Sequence, residues 1–332
     1  MGEFDLIQRY FKRPVQHSAL GIGDDCALLQ PRANTQLAIS SDMLVQGRHF
    51  FADVDPRTLG HKALAVNLSD LAACGAKPLA FTLALALPSA DASWLEPFSQ
   101  GLLALADAHG CELIGGDTTA GPLNICITVF GEVPVFAGQS QALLRSGAQA
   151  GDDLYVSGNL GDARLALDAL LGKLSVPADV LLRARTRLEM PTPRVALGHA
   201  LRGVASSAID VSDGLLGDLG HILQASKLGA TIATDTAAQL VAARAYSTGS
   251  RDVFRHSISA EQWRRWALAG GDDYELLFSA AVGQRAAVAA AAALSQTPVT
   301  RIGQMDATPG LRLQDAQGQL LANSFASFDH FA

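Results

Sequence analysis

Lysine is scarce in this sequence of 332 residues, five in all, and the formal net charge is -7. No basic stripe is available to follow a phosphate backbone, which excludes nucleic acid as a main partner. An anionic small molecule would need positive charge from elsewhere, and a divalent cation held by carboxylates is one source. Aromatic residues are few at 6% and charged residues reach only 17%, while hydrophobic residues make up 49%. That balance excludes a disordered chain and gives a globular one, with about two domains for this length.

Cysteine is limited to Cys26, Cys74, Cys111 and Cys126, with no C-x-x-C pair and no companion histidine spacing. Zinc is excluded on that spacing, and buried free thiols are expected. Long apolar runs are missing: the stretch Leu79 to Leu87 is far shorter than the roughly 20 residues that span a bilayer. The opening Met1-Gly2-Glu3-Phe4-Asp5 carries no basic region and position 6 is Leu, so neither a signal peptide nor a myristoylation site is expected. Together these features predict a cytoplasmic protein.

Several catalytic signatures are also missing. Gly172-Lys173 is followed by Leu174 and fails the phosphate-loop pattern, and the Gly21-x-Gly23 turn has Cys26 where a dinucleotide fingerprint has its third glycine. No H-E-x-x-H or G-x-S-x-G string occurs among the residues, which removes support for metallohydrolase and serine hydrolase chemistry.

Alternating helix and strand signals fill the chain. Asp55-Pro56 to Gly75 predicts a helix with an Asp cap, a first-turn proline and a glycine stop, and a second helix runs from about Asp91 to His109 with Gly110 as its stop. Strands are expected at Leu79–Leu87, Cys111–Gly116 and Asn124–Val133. The segment Phe136 to Asp152, rich in Gly, Ala, Ser and Gln, marks a domain boundary, giving domains at 1–137 and 151–332 with a linker at 138–150. Beyond it, strands are expected at 154–157, 208–211, 230–234, 274–279 and 298–303, and helices near 161–171, 179–189, 193–202, 213–226 and 283–294.

Aspartate next to glycine or serine recurs where a phosphate-binding device is wanted. Asp24-Asp25 follow a Gly-x-Gly turn, Asp42 closes the apolar run Leu37 to Ile39, Asp117 follows Gly115-Gly116, and Asp210 and Asp213 bracket Ser212. Turn chemistry or helix capping explains any one of them. Gathered in space they would repel and raise each other's pKa values unless they shared a cation. Asp70 stands one helical turn from Asn67 on an otherwise apolar face, either solvated or held for a ligand. Arg145 in the boundary segment could fork onto phosphate, and His49 sits on a Gly-containing loop seven residues past Asp42.

The strings GIGDDCALL, AISSDMLVQGRHF, KALAVNLSDLAACGA, LIGGDTTAGP, RSGAQAGD, AIDVSDGLLGDLGHI and GGDDYEL, in this order, resemble the thiamine-monophosphate kinase family over nearly the whole chain. That family shares an ATP-binding fold with aminoimidazole ribonucleotide synthetase, selenophosphate synthetase and a hydrogenase-maturation protein. The resemblance implies a two-domain α/β (α+β) architecture whose N-terminal strands close a barrel shared between two copies in a homodimer. It implies Mg2+ held by Asp25, Ser40, Ser41, Asp42, Asp70, Asp117, Asp210 and Asp213, ATP contacted by Gly116, Asp117, Arg145 and Ser212, and thiamine phosphate contacted by His49, Asp272 and Phe328. The implied reaction is phosphorylation of thiamine phosphate to thiamine diphosphate by direct in-line transfer, with no covalent or general-base residue. Another ATP-using enzyme of the superfamily and a non-catalytic nucleotide-binding partner are the alternatives. Two positions depart from the family pattern: Asp272 stands where Glu is usual, and Phe328 where Tyr or Trp is frequent. The N-terminal segment has no cysteine before Cys26 and the chain ends Asp329-His330-Phe331-Ala332, which count against selenophosphate synthesis and hydrogenase maturation.

Overall fold

The structure is a computed structural model that describes residues 2–245, 254 and 256–325. Contacts divide the chain into two units, Met1–Leu71 with Ala76–Ala142, and Ala72–Gly75 with Leu143–Ala332.

In the first unit, strands β1 (Thr35–Val45), β2 (Lys77–Leu87), β3 (Glu112–Ala120) and β4 (Asn124–Phe136) form a sheet in the order β1-β4-β2-β3, and β5 (Gln139–Ser140) pairs with β4. Only β2 and β3 run parallel. Helix α1 (Pro56–Ala73) starts where the Asp55 carboxylate accepts the Arg57 amide at 2.8 Å, and Gly75 follows it in the left-handed region at φ 65°. Helix α2 (Ala92–His109) is capped by Asp91, which accepts the Ser93 amide at 2.9 Å, and stops at Gly110 with φ 58°. These ends match the cap and stop signals. Lys62, Asn67 and Ser69 of α1 are as buried as its leucines, so the helix is enclosed on nearly all sides.

Two strands differ from the sequence expectation. β1 was not among the expected strands, and it carries the apolar run Leu37 to Ile39 on through Asp42 to Val45, which places Asp42 within a strand. β3 does not stop at Gly116 but runs on to Ala120: a register shift opposite Phe81 and Thr82 takes up Ile114 as the extra residue, and Gly115 and Gly116 then pair with Thr82 and Leu83. Gly116 adopts φ 142°, and a Cβ there would stand 1.8 Å from the Leu83 carbonyl oxygen. Gly116→Ala is therefore expected to cost roughly 2–4 kcal/mol through strain and overlap, measurable by urea unfolding. A loss below about 0.5 kcal/mol, the size of an ordinary surface substitution, would contradict this close approach of Gly116 to Leu83.

In the second unit, β6 (Asp153–Ser157), β7 (Ser207–Asp210), β8 (Gly229–Ala233), β9 (Leu276–Ala280), β10 (Val299–Asp306), β11 (Gly310–Gln314) and β12 (Leu320–Leu321) form one sheet in the order β12-β11-β8-β10-β6-β9-β7. All pairings are antiparallel except β11 with β8. Among the described residues the unit also has helices α3 (Asp162–Leu170), α4 (Ala178–Glu189), α5 (Val195–Leu201), α6 (Leu215–Ser226), α7 (Thr234–Ala238), α8 (Ala260–Ala269) and α9 (Arg285–Leu294). Leu154, Ile209, Leu219, Ile232, Trp266 and Leu277 are among the residues that form its core. Helix α8 was not anticipated, although Ser259 caps it by accepting the Gln262 amide at 3.1 Å and Trp263 and Trp266 fill its buried face. Predominantly antiparallel sheets with helices make the chain α+β.

This core also contains carboxylates. Asp162 is 2% exposed and accepts the amides of Ala242 and Ala243 at 2.8 and 3.0 Å. Burial pushes its carboxyl up from 3.8 to about 6, against the opposing pull of those amides and of Arg187. Between these two values the folded chain keeps a proton that the unfolded chain has released. Its contribution to stability therefore falls as pH rises through that window, and the penalty is complete above about pH 6. Asp162→Asn keeps an acceptor oxygen without the charge. Asn can accept only one of the two amides, which meet different oxygens of Asp162, but its stability relative to wild type should still climb by about 2–3 kcal/mol between pH 4 and neutral pH and then level off. Denaturant titrations at pH 4, 5, 6 and 7.5 measure this, and a difference that does not grow with pH would refute it.

Candidate functional site

Unit one builds an oxygen-rich patch where β1 meets α1. Strand pleating sends alternate side chains to opposite faces. Ser40 donates its hydroxyl to the Asp70 carboxylate of α1, and the Asp42 amide donates to Asn67 Oδ1 at 3.1 Å. Asn67 is itself oriented by donating its amide nitrogen to the Ala63 carbonyl at 3.0 Å. Ser40, Asp42 and the Asn67/Asp70 pair are thereby brought together, and the single helical turn between Asn67 and Asp70 is what lets one helix serve two strand positions. Ser41 faces the other way, where its hydroxyl meets Thr128 Oγ1 at 2.9 Å and donates to the Ile127 carbonyl at 3.1 Å.

Asp42, Ile127, Leu83 and Gly116 stand in one row across the sheet, with Asp117 exposed one position further along β3, opposite Ala84. Asp25 is exposed on the loop closed by the bridge between Leu20 and Leu28, and its amide donates to Asp24 Oδ1 at 2.9 Å. Two glutamates fasten this loop segment. Glu112 accepts the amides of Gln16, His17 and Ser18 at 2.5, 2.8 and 2.9 Å. Burial raises the Glu112 carboxyl, yet these hydrogen bonds more than offset it and hold it below the usual range. Past the loop, buried Glu132 takes both the amide and Nε of Arg32 at 2.6 Å. His49 lies in the turn after β1, where Nδ1 accepts the Val45 amide at 3.0 Å, which leaves Nε2 as the protonated ring nitrogen.

Unit two places Asp210 at the end of β7, buried and paired with Leu276 of β9. Ser212 and Asp213 occupy the turn that leads through Gly214 into α6. The amides of Ser212, Asp213 and Gly214 all donate to Asp218 Oδ2, at 3.1, 3.2 and 3.2 Å. Burial, and next the Asp213 charge, push the Asp218 carboxyl up to about 7 against those three hydrogen bonds.

The turn is also laced to the 271–275 segment. The Asp272 amide donates to the Ser212 carbonyl, the Tyr274 amide to the Val211 carbonyl and the Val211 amide to the Glu275 carbonyl, each at 2.8 Å. Asp272 and Tyr274 both take left-handed backbone, at φ 65° and 51°, and the Tyr274 hydroxyl donates to Asp272 Oδ1 at 3.3 Å. A Cβ on Gly271 would lie 2.5 Å from the Ser212 carbonyl oxygen, so only glycine allows the two segments this close. Asp273 lies beneath, accepting the Gly161 amide with both oxygens at 2.9 Å, and burial keeps its carboxyl well above the usual range. Glu275 is fully buried and accepts from Ser157 at 2.6 Å, Arg187 at 2.7 Å and both Nε and Nη2 of Arg194 at 2.6 Å. Arg145 is exposed. Phe328 lies outside the described residues.

The donors Ser40, Asp42, Asn67 and Asp70 are all oxygens, which suits a hard cation such as Mg2+ and not zinc or copper. Among the described residues no three His, Cys, Asp or Glu side chains gather closely enough to hold a metal by themselves. Carboxylates in ones and twos fit Mg2+ completed by water and phosphate oxygens better than a closed protein cage. Asp218, Tyr274, Glu112 and Glu132 were not singled out from sequence. Asp218 lies five residues past Asp213 and Tyr274 two past Asp272, and only these short spacings hinted at the contacts.

Comparison with known proteins places the chain. The family model described as AIR synthase related protein, N-terminal domain, matches residues 23–133. Thiamine-monophosphate kinase of Escherichia coli strain K12 is 46% identical over 339 residues, covering 100% of this chain and 98% of that protein. The crystal structure of thiamine-monophosphate kinase from Stenotrophomonas maltophilia K279a matches with a TM-score of 0.80 at 45% identity over 92% of each chain. A structure described as AaThiL complexed with AMPPCP and TMP matches with a TM-score of 0.75 at 26% identity, over 91% of this chain and 89% of the other. End-to-end identity at this level, on the same fold, shows that the chain belongs to the thiamine-monophosphate kinase family.

Proposed function

We propose that this protein is an ATP-dependent thiamine-phosphate kinase, which transfers the γ-phosphoryl group of ATP to thiamine phosphate and yields ADP and thiamine diphosphate. The observation that carries the reading is the 46% identity across 100% of the chain to a thiamine-monophosphate kinase. The oxygen-donor patch of β1 and α1 supports it on independent chemical grounds.

Asp25, Ser40, Ser41, Asp42, Asp70, Asp117, Asp210 and Asp213 are assigned to Mg2+; for Ser41, whose hydroxyl is engaged with Thr128 and Ile127, that role would fall to main-chain oxygen. Bound Mg2+ supplies the positive charge that a chain of net charge -7 lacks for a polyphosphate. Gly116, Asp117, Arg145 and Ser212 are assigned to ATP, and His49, Asp272 and Phe328 to thiamine phosphate. The attacking phosphate oxygen is ionised at neutral pH, so the side chains orient it in line and exclude water, and none needs to remove a proton. His49 offers a proton-bearing Nε2 toward an anionic ligand, and the Tyr274 hydroxyl steadies Asp272, whose side chain is one methylene shorter than the usual Glu.

The family's shared barrel accords with the exposed apolar side chains of edge strand β1, Leu37, Ile39 and Met43, which a second copy would cover. A homodimer of about twice 34.7 kDa is expected by light scattering. Among the described residues no helix is long and apolar enough to cross a membrane, and a cytoplasmic location accords with that. The kinase reading is tested by following ATP consumption with and without thiamine phosphate. Consumption that depends on thiamine phosphate supports it, and consumption that ignores thiamine phosphate would move the assignment to another ATP-using reaction.

A further inference from the structure

We infer that Asp218 is a positioning residue for the Asp210-to-Asp213 segment: one of its carboxylate oxygens fixes three consecutive amides, and so sets where Ser212 and Asp213 present their side chains to Mg2+ and ATP. The inference rests on the roles proposed above for Asp210, Ser212 and Asp213.

The geometry is unusually complete. Ser212, Asp213 and Gly214 donate to the same oxygen, Oδ2, at 3.1, 3.2 and 3.2 Å, and the Asp218 amide returns a hydrogen bond to the Gly214 carbonyl at 3.1 Å. Asp218 is 3% exposed and sits in the first turn of α6, so its own backbone is fixed by the helix. On the opposite side, the carbonyls of Val211 and Ser212 are taken by the amides of Tyr274 and Asp272. The turn thus hangs between Asp218 and the 271–275 segment, with the amides on one side and the carbonyls on the other.

Three amides converging at the start of a helix otherwise make a ready anion site. Here the chain fills that place with its own carboxylate. ATP phosphates are thereby denied these amides and depend on cations held by the neighbouring aspartates. The carboxylate of Asp218 acts through backbone geometry, in the manner of an outer partner that orients a metal ligand without touching the metal.

The test uses the full-length protein, with ATP binding followed by calorimetry at varied Mg2+ and, in parallel, the Mg2+ dependence of the kinase rate. Asp218→Ala is expected to raise the Mg2+ concentration for half-maximal ATP binding by about tenfold or more, the usual cost of losing such an outer partner. Asp218→Asn keeps an acceptor oxygen for the amides and is expected to restore the wild-type value within about threefold, a residue of about 0.7 kcal/mol. Asp162→Ala, which removes a comparably buried acceptor of two amides elsewhere in the same unit, is the stability control and should leave Mg2+ dependence unmoved. Should Asp218→Ala fail to fold, Asp218→Ser, with a shorter acceptor, should give a shift between those of Asn and Ala.

Equal shifts for Asp218→Ala and Asp162→Ala would reduce Asp218 to a structural residue and overturn the inference. Failure of Asp218→Asn to rescue would overturn it as well, because charge and not geometry would then matter. Wild-type protein that binds Mg2+ and ATP but forms no thiamine diphosphate would defeat the kinase reading alone, since the binding arm would still measure Asp218.

Discussion

Asp42→Asn is expected to lower turnover by roughly two to three orders of magnitude, the scale on which removal of one group that stabilises transition-state charge acts, while leaving the fold intact. Asparagine has the same shape, and what fixes this stretch of β1 is main-chain: the ladder to β4 and the Asp42 amide donating to Asn67. The substitution keeps the shape of the side chain and removes its charge. Phosphoryl transfer leaves the protein with positioning and charge neutralisation as its work, so an aspartate assigned to Mg2+ should show its loss chiefly in turnover and in the Mg2+ concentration required. Asp117→Asn should behave similarly, because Asp117 is exposed on β3 and the substitution keeps its shape. Thermal unfolding of both variants should match wild type within a few degrees. Near-normal turnover with unchanged Mg2+ dependence would remove the assigned role from either residue.

The largest effect on stability is expected at Glu275. Its carboxylate is fully buried and accepts from two guanidinium groups, Arg187 and Arg194, whose side chains are only 21% and 16% exposed. Glu275→Ala would strip both poorly solvated cations of their carboxylate partner, leaving Arg187 with the Asp273 carbonyl at 3.3 Å. Breaking a buried pair by removing one partner costs about 3–5 kcal/mol, which should appear as a lower urea midpoint for the second unit. Glu275→Gln, which can still accept from one guanidinium and from Ser157, should lose less. A cost below about 1 kcal/mol for Glu275→Ala would mean that Arg187 and Arg194 find water or other acceptors easily, and that this cluster does not hold the 271–275 segment in place.

Helices α1 and α2 were legible because their ends are written in local chemistry: Asp55 and Asp91 accept first-turn amides, and Gly75 and Gly110 take left-handed backbone. Strand β1 was harder. Its buried-side positions include Ser40 and Asp42, while Leu37, Ile39 and Met43 are exposed, so polarity alternates in the sense opposite to that of a solvated strand. The inversion itself points to function, since polar groups on the helix-covered face and apolar ones on the open face suit a ligand and a partner respectively. β3 was cut short at Gly115-Gly116 because glycine pairs usually end strands, whereas here both glycines pair with β2, opposite Thr82 and Leu83.

The aspartates assigned to Mg2+ were visible as Gly-Asp and Ser-Asp strings, and the family motifs gave them roles. What was not legible was the layer behind them. Asp218 appears in sequence as one more acidic residue on a helix, and Glu275 as a charge within a strand, where polar residues normally face water. Asp218 matters through its burial beneath the turn it holds, and Glu275 through burial together with hydrogen bonds across long sequence separations, to Ser157 and Arg194, 118 and 81 residues away. No local pattern encodes such contacts. Asn67, by contrast, was noticed beside Asp70, but its bond to the Asp42 amide becomes visible only once α1 packs against β1.

The most direct test of the central claim is product analysis with the purified protein supplied with ATP, Mg2+ and thiamine phosphate, with a chelator in a parallel reaction. The account predicts ADP and thiamine diphosphate in equal amounts, abolished by the chelator and restored by added Mg2+. ADP without thiamine diphosphate, or no ADP from a protein that still binds ATP, would contradict it.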